Sequence, residues 1–231
     1  MDLDRMRTDY RRAVLTAEEL GDDPVAIRAL GQGSLSLVSQ HVVALWFVRR
    51  RGFAIGLLGL AMALATAGSD GRPSGRFVLC KGIDEDGIVF YTNYQSRKGR
   101  DLDAMPWAAA TFWWDRLERQ VRLEGPTERV PEATSDAYFA SRPYGSRIGA
   151  WASPQGFEIE DRAALERRFA TARERFPEDV PIPRPPFWGG YRIRPVRMEF
   201  WQGRENRAHD RIEFRRDDPD APGWRTARLA P

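Results

Sequence analysis

The sequence predicts a mainly β protein with flanking helices, built on an antiparallel barrel or sandwich. Three observations carry this expectation. Short apolar β-type runs recur along the chain, separated by turn residues rather than by long crossovers. One of them, Glu118–Val130, alternates cleanly at its start, with Gln120, Arg122 and Glu124 on one face and Val121 and Leu123 on the other. Only a few stretches carry helical periodicity, and they interrupt the β runs instead of alternating with them.

The elements follow in order. Phe53–Gly68 is an uncharged stretch after an arginine cluster, which raises the question of a membrane anchor. Its length falls short of the ~20 apolar residues a span requires, and it is internal. Its second half, Ala61–Ala67, reads as the first strand of a hairpin closed by "SDGRP", in which Asp-Gly makes the turn and the proline stops further pairing. "RFVLCKG" is the returning strand. Gly87–Asn93, Ala108–Asp115, Glu118–Val130, Tyr191–Gly203 and Arg211–Arg216 are further strands. Helices are expected in "SRKGRDLDAM", in "PEATSDAYFASRP" with Pro131 near its first turn, and in Glu158–Phe176. The last places Leu165, Phe169, Ala172 and Phe176 on one stripe, with acids early and arginines late. Pro177–Gly190 is proline-rich and reads as an extended connection. The expected organisation is one domain over residues 1–231, with an N-terminal arm over 1–26 and an atypical segment over 27–60.

Composition narrows the chemistry. The 231 residues carry a formal charge of +3 and a pI near 9.3, an excess compatible with a solvated surface, with nucleic acid, or with arginines gathered around small phosphates. A single cysteine, Cys80, excludes an intramolecular disulfide and a cysteine-rich metal site, and fits a reducing compartment. With only His41 and His209, a histidine-based zinc site is not expected. No dinucleotide fingerprint, P-loop, nucleophile elbow or zincin motif is present.

Four clusters remain. In "GRFVLCKG", Arg76 and Lys81 bracket an apolar strand. In "VFYTNYQSRKGRDL", hydroxyls and paired cations sit where a strand ends and a helix begins, a setting suited to phosphate. Tyr138, Arg142 and Ser146 are spaced four apart, so on a helical path they share one side. In "EFWQGRENRAHDRIEF", Arg207, His209 and Arg211 alternate, so on an extended segment they point the same way beside Trp201. The ordinary alternatives are charged turns, a helix cap and a structural histidine.

Taken together, "GRFVLCKG", "GIVFYTNYQSRKGRDL", "LERQVRLEG", "YFASRPYGSRIGAWAS", "FWGGYRIRPVRMEFWQGRENRAHDR" and the terminal "RLAP" resemble the pyridoxamine 5′-phosphate oxidase family. The resemblance runs from Ala61 to Pro231, with a weaker match in the first 24 residues. It implies an antiparallel FMN-binding split β-barrel and a cytoplasmic homodimer with FMN at the subunit interface. The implied reaction is oxidation of pyridoxamine and pyridoxine 5′-phosphates by O2, with no nucleic acid or membrane as partner and no metal.

By motif it implies FMN contacts from Arg76, Phe77, Val78, Leu79, Cys80, Lys81, Tyr91, Thr92, Arg97, Lys98, Gln120, Gln155, Gly156, Trp201 and Arg211. For the substrate it implies Lys81, Tyr138, Arg142 and Ser146 at the phosphate, Arg207 and His209 over the ring as the catalytic pair, and Arg7 and Tyr10 from the N-terminal arm. Two departures stand out. Gly156 and Phe157 replace the small hydroxyl residues usual after "SPQ". Ile27–Leu60 lacks the family pattern, which leaves a true insertion or a shifted reading frame as readings. Another split-barrel flavoprotein with a different substrate and a non-catalytic basic β-barrel are the alternative functions.

Overall fold

The computed structural model describes residues 61–231. Arg7, Tyr10, the N-terminal arm and the atypical segment 27–60 lie outside the described residues. Among those described, no helix is long and apolar enough to cross a membrane.

The chain divides into two compact units. One contains residues 61–111 and Glu124–Pro195. Here β1 (Ala61–Ala67) and β2 (Pro73–Leu79) form the expected hairpin in full register, Ala61 opposite Leu79 and Ala67 opposite Pro73. Gly71 takes the left-handed turn position (φ 72°) and Asp70 Oδ1 accepts from Arg72 N. Pro73 does not stop the pairing as expected. It opens β2 as its first residue, a place where a missing N–H is tolerated.

β3 (Gly82–Asp84) and β4 (Gly87–Asn93) make a second hairpin, and β4 pairs antiparallel with β7 (Trp188–Ile193). The three-residue β3 is too short to show as a period in sequence. β5 (Trp107–Trp114) pairs with β1 through Ala63–Thr66, and β6 (Arg119–Arg129) pairs with β7 through Thr127–Arg129.

Four helices complete this unit: α1 (Arg97–Ala104), α2 (Glu132–Ser141), α3 (Tyr144–Ala152) and α4 (Arg162–Arg175). α4 starts later than its periodicity suggests, because Asp161 caps it with a 2.6 Å bond from Ala164 N. Phe139, Ile148, Ala172, Phe176, Ile182 and Trp188 form the core that packs these helices.

The second unit contains, among the described residues, Phe112–Leu123 and Val196–Pro231. β8 (Arg197–Gln202) pairs with β9 (Asp210–Arg215), and β9 with β10 (Arg225–Leu229). Tyr191–Gly203, expected as one strand, is therefore two. Pro195 has no N–H for a ladder and separates β7 from β8. The alternation of Glu118–Val130 holds: Val121 and Leu123 are buried, Arg122 is exposed and Gln120 is half-buried. Phe112, Met198, Phe200 and Ile212 are buried beside them.

Candidate functional site

In the larger unit, β4 runs into α1 through a tight turn. Ser96 caps the helix, its Oγ accepting from Gly99 N. Gly99 is required there, since a Cβ would lie 2.0 Å from the Tyr94 carbonyl oxygen. The cap places the helix N-terminus, Arg97 and Lys98 beside the end of β4. Lys98 Nζ is buried and donates to three neutral oxygens: Thr92 Oγ1 at 3.0 Å, Ser96 Oγ at 3.1 Å and Gln155 Oε1 at 3.4 Å. Burial first, and then the charge of Arg76, push its ammonium down to a pKa of about 8.

Arg76, on β2, donates to Thr66 Oγ1 at 2.7 Å and Ser74 Oγ at 2.6 Å. Its charge is destabilised by burial and by Arg97, against the opposing pull of Asp101 3.7 Å away. Asp101 also accepts from Thr66 Oγ1 at 2.6 Å. Asp101 thus pairs with Arg76, while Arg97 and Lys98, close enough to Arg76 to act on its charge or feel it, have no carboxylate partner among the described residues. That donor set fits a doubly charged phosphate.

Gly156 lies against this turn. Its left-handed backbone (φ 85°) suits glycine, and a Cβ there would sit 3.6 Å from Arg97 N. Lys81, whose backbone N–H pairs with Val89 O, has no side-chain partner among the described residues. Cys80 is buried, its thiol pushed up to about 11 mainly by burial, which leaves it a poor nucleophile. Phe77 and Leu79 on β2 are exposed.

The same unit holds a second cationic position. Arg142 lies over the Trp188 ring (4.6 Å to its centroid), and Tyr138 stacks on Tyr91 at 3.9 Å. Burial lowers the Arg142 pKa, with Tyr138 opposing. Its Nη1 is buried without a hydrogen-bond acceptor, an uncompensated donor of the kind an anion would satisfy.

The expectation that Tyr138, Arg142 and Ser146 share one side of a helix is corrected here. α2 ends at Ser141, Arg142 is extended (φ −75°, ψ 147°), and α3 begins at Tyr144. Pro143 imposes this break, because the residue before a proline is excluded from the helical region. Ser146 sits exposed in the first turn of α3.

In the smaller unit, Trp201, Arg207, His209 and Arg211 fall on β8, β9 and the connection between them. The expected alternation of Arg207, His209 and Arg211 is not found. A 3-10 turn occupies Glu205–Arg207, with Asn206 (φ 53°) and Arg207 (φ 60°) left-handed, and β9 begins only at Asp210. Arg207 is exposed, and the His209 ring leans on Trp201 at 4.6 Å.

Arg211 is engaged bidentately by Glu199, at 2.8 and 3.0 Å, and donates to Ala230 O. The hydrogen bond from Arg211 chiefly holds the Glu199 carboxyl below its usual range. Burial opposes it, and the charges of Arg211, Arg122 and Arg197 reinforce it. Gln120 projects from β6 half-buried.

Sequence reading singled out Ser96 with the cations beside it but missed the supporting residues Thr66, Asp101, Glu199 and Asp210. Asp101 acts on a strand 35 residues away and Glu199 on the strand beside its own, and no local pattern announces either. A groove of about 620 Å³ lined by Tyr94, Arg100, Asp103, Arg129, Phe157 and Phe187, among others, contains none of the predicted site residues.

The sequence matches the pyridoxamine 5′-phosphate oxidase family over residues 60–176, and the pyridoxine 5′-phosphate oxidase C-terminal dimerisation region over 188–231. A pyridoxine/pyridoxamine 5′-phosphate oxidase of Rubrobacter xylanophilus is 52% identical over all of this chain and 97% of its own length. One from Burkholderia thailandensis is 50% identical over 98% of this chain and 97% of its own length.

Among solved structures, PhzG from Burkholderia lata, in complex with tetrahydrophenazine-1-carboxylic acid, is 34% identical. It superimposes with a TM-score of 0.71, covering 80% of this chain and 91% of that one. A pyridoxamine 5′-phosphate oxidase-related, FMN-binding protein from Nostoc punctiforme has a TM-score of 0.61 at 21% identity, covering 83% of this chain and 96% of its own, and shares the fold. The fold class is the antiparallel split β-barrel with flanking helices that the resemblance implied.

Proposed function

The chain belongs to the pyridoxamine 5′-phosphate oxidase family, and from that premise we propose that it oxidises pyridoxamine 5′-phosphate and pyridoxine 5′-phosphate to pyridoxal 5′-phosphate. In this reading FMN is the cofactor, O2 the final acceptor and hydrogen peroxide a product, with ammonia released from the amine. The observation that carries the reading is the pair of anion-deficient clusters. Buried Lys98 with Arg76 and Arg97 forms one, and Arg142 with its unpaired Nη1 forms the other. Cofactor and substrate each bring one phosphate.

When bound, FMN supplies the acceptor for the hydride leaving C4′ of the substrate and the means of passing both electrons to O2. The chain binds and orients. Arg76, Arg97 and Lys98, with Thr92 and Gln155 around the ammonium, neutralise the cofactor phosphate. Lys81, Tyr138, Arg142 and Ser146 take the substrate phosphate, while Arg207 and His209 orient its ring. Trp201, Gln120 and Arg211 complete the flavin pocket. The C-terminal dimerisation match supports a homodimer; in this reading FMN lies at its interface.

The test is direct. The purified protein should carry a yellow flavin spectrum or take up added FMN, and should bind riboflavin, which lacks the phosphate, far more weakly. Pyridoxamine 5′-phosphate under air should then yield peroxide and pyridoxal 5′-phosphate. No flavin reduction and no peroxide would refute the reading. The likeness to PhzG supports a second reading, a flavin oxidase of a reduced phenazine carboxylate. Peroxide formed with tetrahydrophenazine-1-carboxylate but not with the B6 phosphates would select it.

A further inference from the structure

The turn that carries Arg207 and His209 is pinned from within. Arg204 enters it with extended backbone (φ −143°, ψ 157°), and its backbone N–H donates to His209 Nδ1 at 3.1 Å. Between them the chain doubles back through left-handed Asn206 and Arg207 and is closed by Ala208 N–H to Glu205 O. The Arg204 side chain then crosses to Asp210, with Nε and Nη2 at 2.7 and 2.6 Å from Oδ2. Arg228 Nη1 donates to the other carboxylate oxygen at 2.7 Å. One carboxylate therefore ties the residue that opens the turn to the residue that closes it. The imidazole itself rests against Trp201, 4.6 Å between ring centroids.

An imidazole nitrogen that accepts an N–H bond carries no proton. The single proton of the neutral ring must then be on the other nitrogen. A general base needs its bare nitrogen within reach of the proton it removes. Here the bare nitrogen is committed to the backbone. We infer that the Arg204–Asp210 turn locks His209 in its Nε2–H tautomer, so that His209 meets its ligand as a hydrogen-bond donor and not as a proton acceptor. Its partner is an oxygen lone pair on the substrate, and the proton leaving the substrate amine or alcohol does not go to His209. Asp210 is the positioning residue for this lock. The ligand side of the inference rests on the proposed B6 phosphate oxidase activity; the tautomer does not.

Long-range 1H–15N correlation spectra of the 15N-labelled protein without substrate read the tautomer, with the His209 signals identified as those lost in His209→Gln. The expected pattern is a protonated Nε2 and an unprotonated Nδ1. A protonated Nδ1, or a fast average of both forms, overturns the inference. Asp210→Asn should loosen the turn and populate the second tautomer. An unchanged single tautomer there removes Asp210 from the account.

Activity supplies the second arm, because glutamine places an amide N–H near the Nε2 position and asparagine near Nδ1. His209→Gln should lose less kcat/KM for pyridoxamine 5′-phosphate than His209→Asn and His209→Ala, which lose about tenfold, the scale of one hydrogen bond. A fall on the order of a hundredfold or more in His209→Gln, equal to that in His209→Ala, is the signature of a lost base and refutes the donor role. If the parent protein oxidises no B6 phosphate, the functional reading fails while the spectra still decide the tautomer.

Discussion

The cradle around Lys98 and the strand pair β8–β9 are both rich in arginine or lysine, yet their charge balance is opposite. In the cradle, Asp101 pairs with Arg76, whereas Arg97 and Lys98 have no carboxylate partner among the described residues, and the buried ammonium bonds only to neutral oxygens. On β8–β9 the buried carboxylates of Glu199 and Glu213 face each other across the ladder. Arg122 and Arg211 accompany the first, Arg197 and Arg215 the second. A cation held in place without its anion needs one from outside, whereas a cation already paired with a buried carboxylate is part of the frame. The density of basic residues, which drew attention to both segments in the sequence, does not separate these cases. The placement of the acids does.

The largest effect that would break this contrast is on the frame. Glu199→Ala leaves Arg211 without its bidentate partner and should cost about 2 kcal/mol of stability in urea unfolding, the scale of hydrogen bonds to a charged group, since the partly exposed guanidinium can return to water. The effect has a pH signature. The folded-state pKa of Glu199 is depressed, so its contribution is present above the ordinary glutamate range and is lost as pH falls through the lowered folded value. Acid destabilisation should therefore be steeper in the parent than in Glu199→Gln. Equal acid profiles would mean that the pair contributes no net stability.

Lys98→Met should behave in the opposite way. Without flavin its stability at neutral pH should stay within about 1 kcal/mol of the parent or rise, because the substitution deletes a buried charge that lacks a counterion. FMN affinity, read by flavin fluorescence, should fall on the order of 10- to 100-fold through loss of a charge-assisted bond. In the parent the depressed lysine lowers stability below pH 8, and this loss is relieved as pH rises from about 8 towards the ordinary lysine value of 10.5. A bound phosphate restores the charged form. FMN binding near pH 8 should therefore take up about half a proton, measurable by calorimetry in buffers of different ionisation heat. Zero uptake would place the phosphate elsewhere.

These two regions were also unequally legible in the sequence. Most of the cradle lies in one strand–turn–helix, where Thr92 is near the end of a strand and Ser96, Arg97 and Lys98 are adjacent at the helix start, so local pattern suffices for these, while Arg76 comes from β2. The hairpin β1–β2 was legible for the same reason: Asp70-Gly71 dictates the turn and thereby the register. What failed was spacing read without its interruptions. Pro143 breaks the helical path from Tyr138 to Ser146, Pro195 splits one apparent strand, and the left-handed pair Asn206–Arg207 ends an apparent alternation. The prolines were readable from rules already in use; the left-handed pair was not, since neither residue is glycine. Asp101 was invisible because its contact with Thr66 is made by a helix against a strand 35 residues away, and Glu199 because the β8–β9 pairing that brings Arg211 to it is not written in either strand alone.

The smallest predicted effects test the contrast where burial no longer helps. Arg97 and Arg122 are both exposed arginines at the margin of their clusters, and Arg122 lies 3.7 Å from Glu199. Arg122→Ala should cost less than about 1 kcal/mol and progressively less as salt is added, since Arg211 still engages Glu199 and an exposed pair is screened. Arg97→Ala should leave the flavin-free stability unchanged within about 0.5 kcal/mol, because no carboxylate among the described residues pairs with it, yet should weaken FMN binding several-fold and flatten its dependence on ionic strength. Salt separates the two cleanly. In the frame it weakens an internal contact and appears as a change in stability; in the cradle it competes with an external phosphate and appears as a change in affinity. If Arg97→Ala instead lost stability and kept its flavin, Arg97 would belong with the paired arginines of β8–β9, and the cradle would be one cation short of balancing a phosphate dianion and Asp101 together.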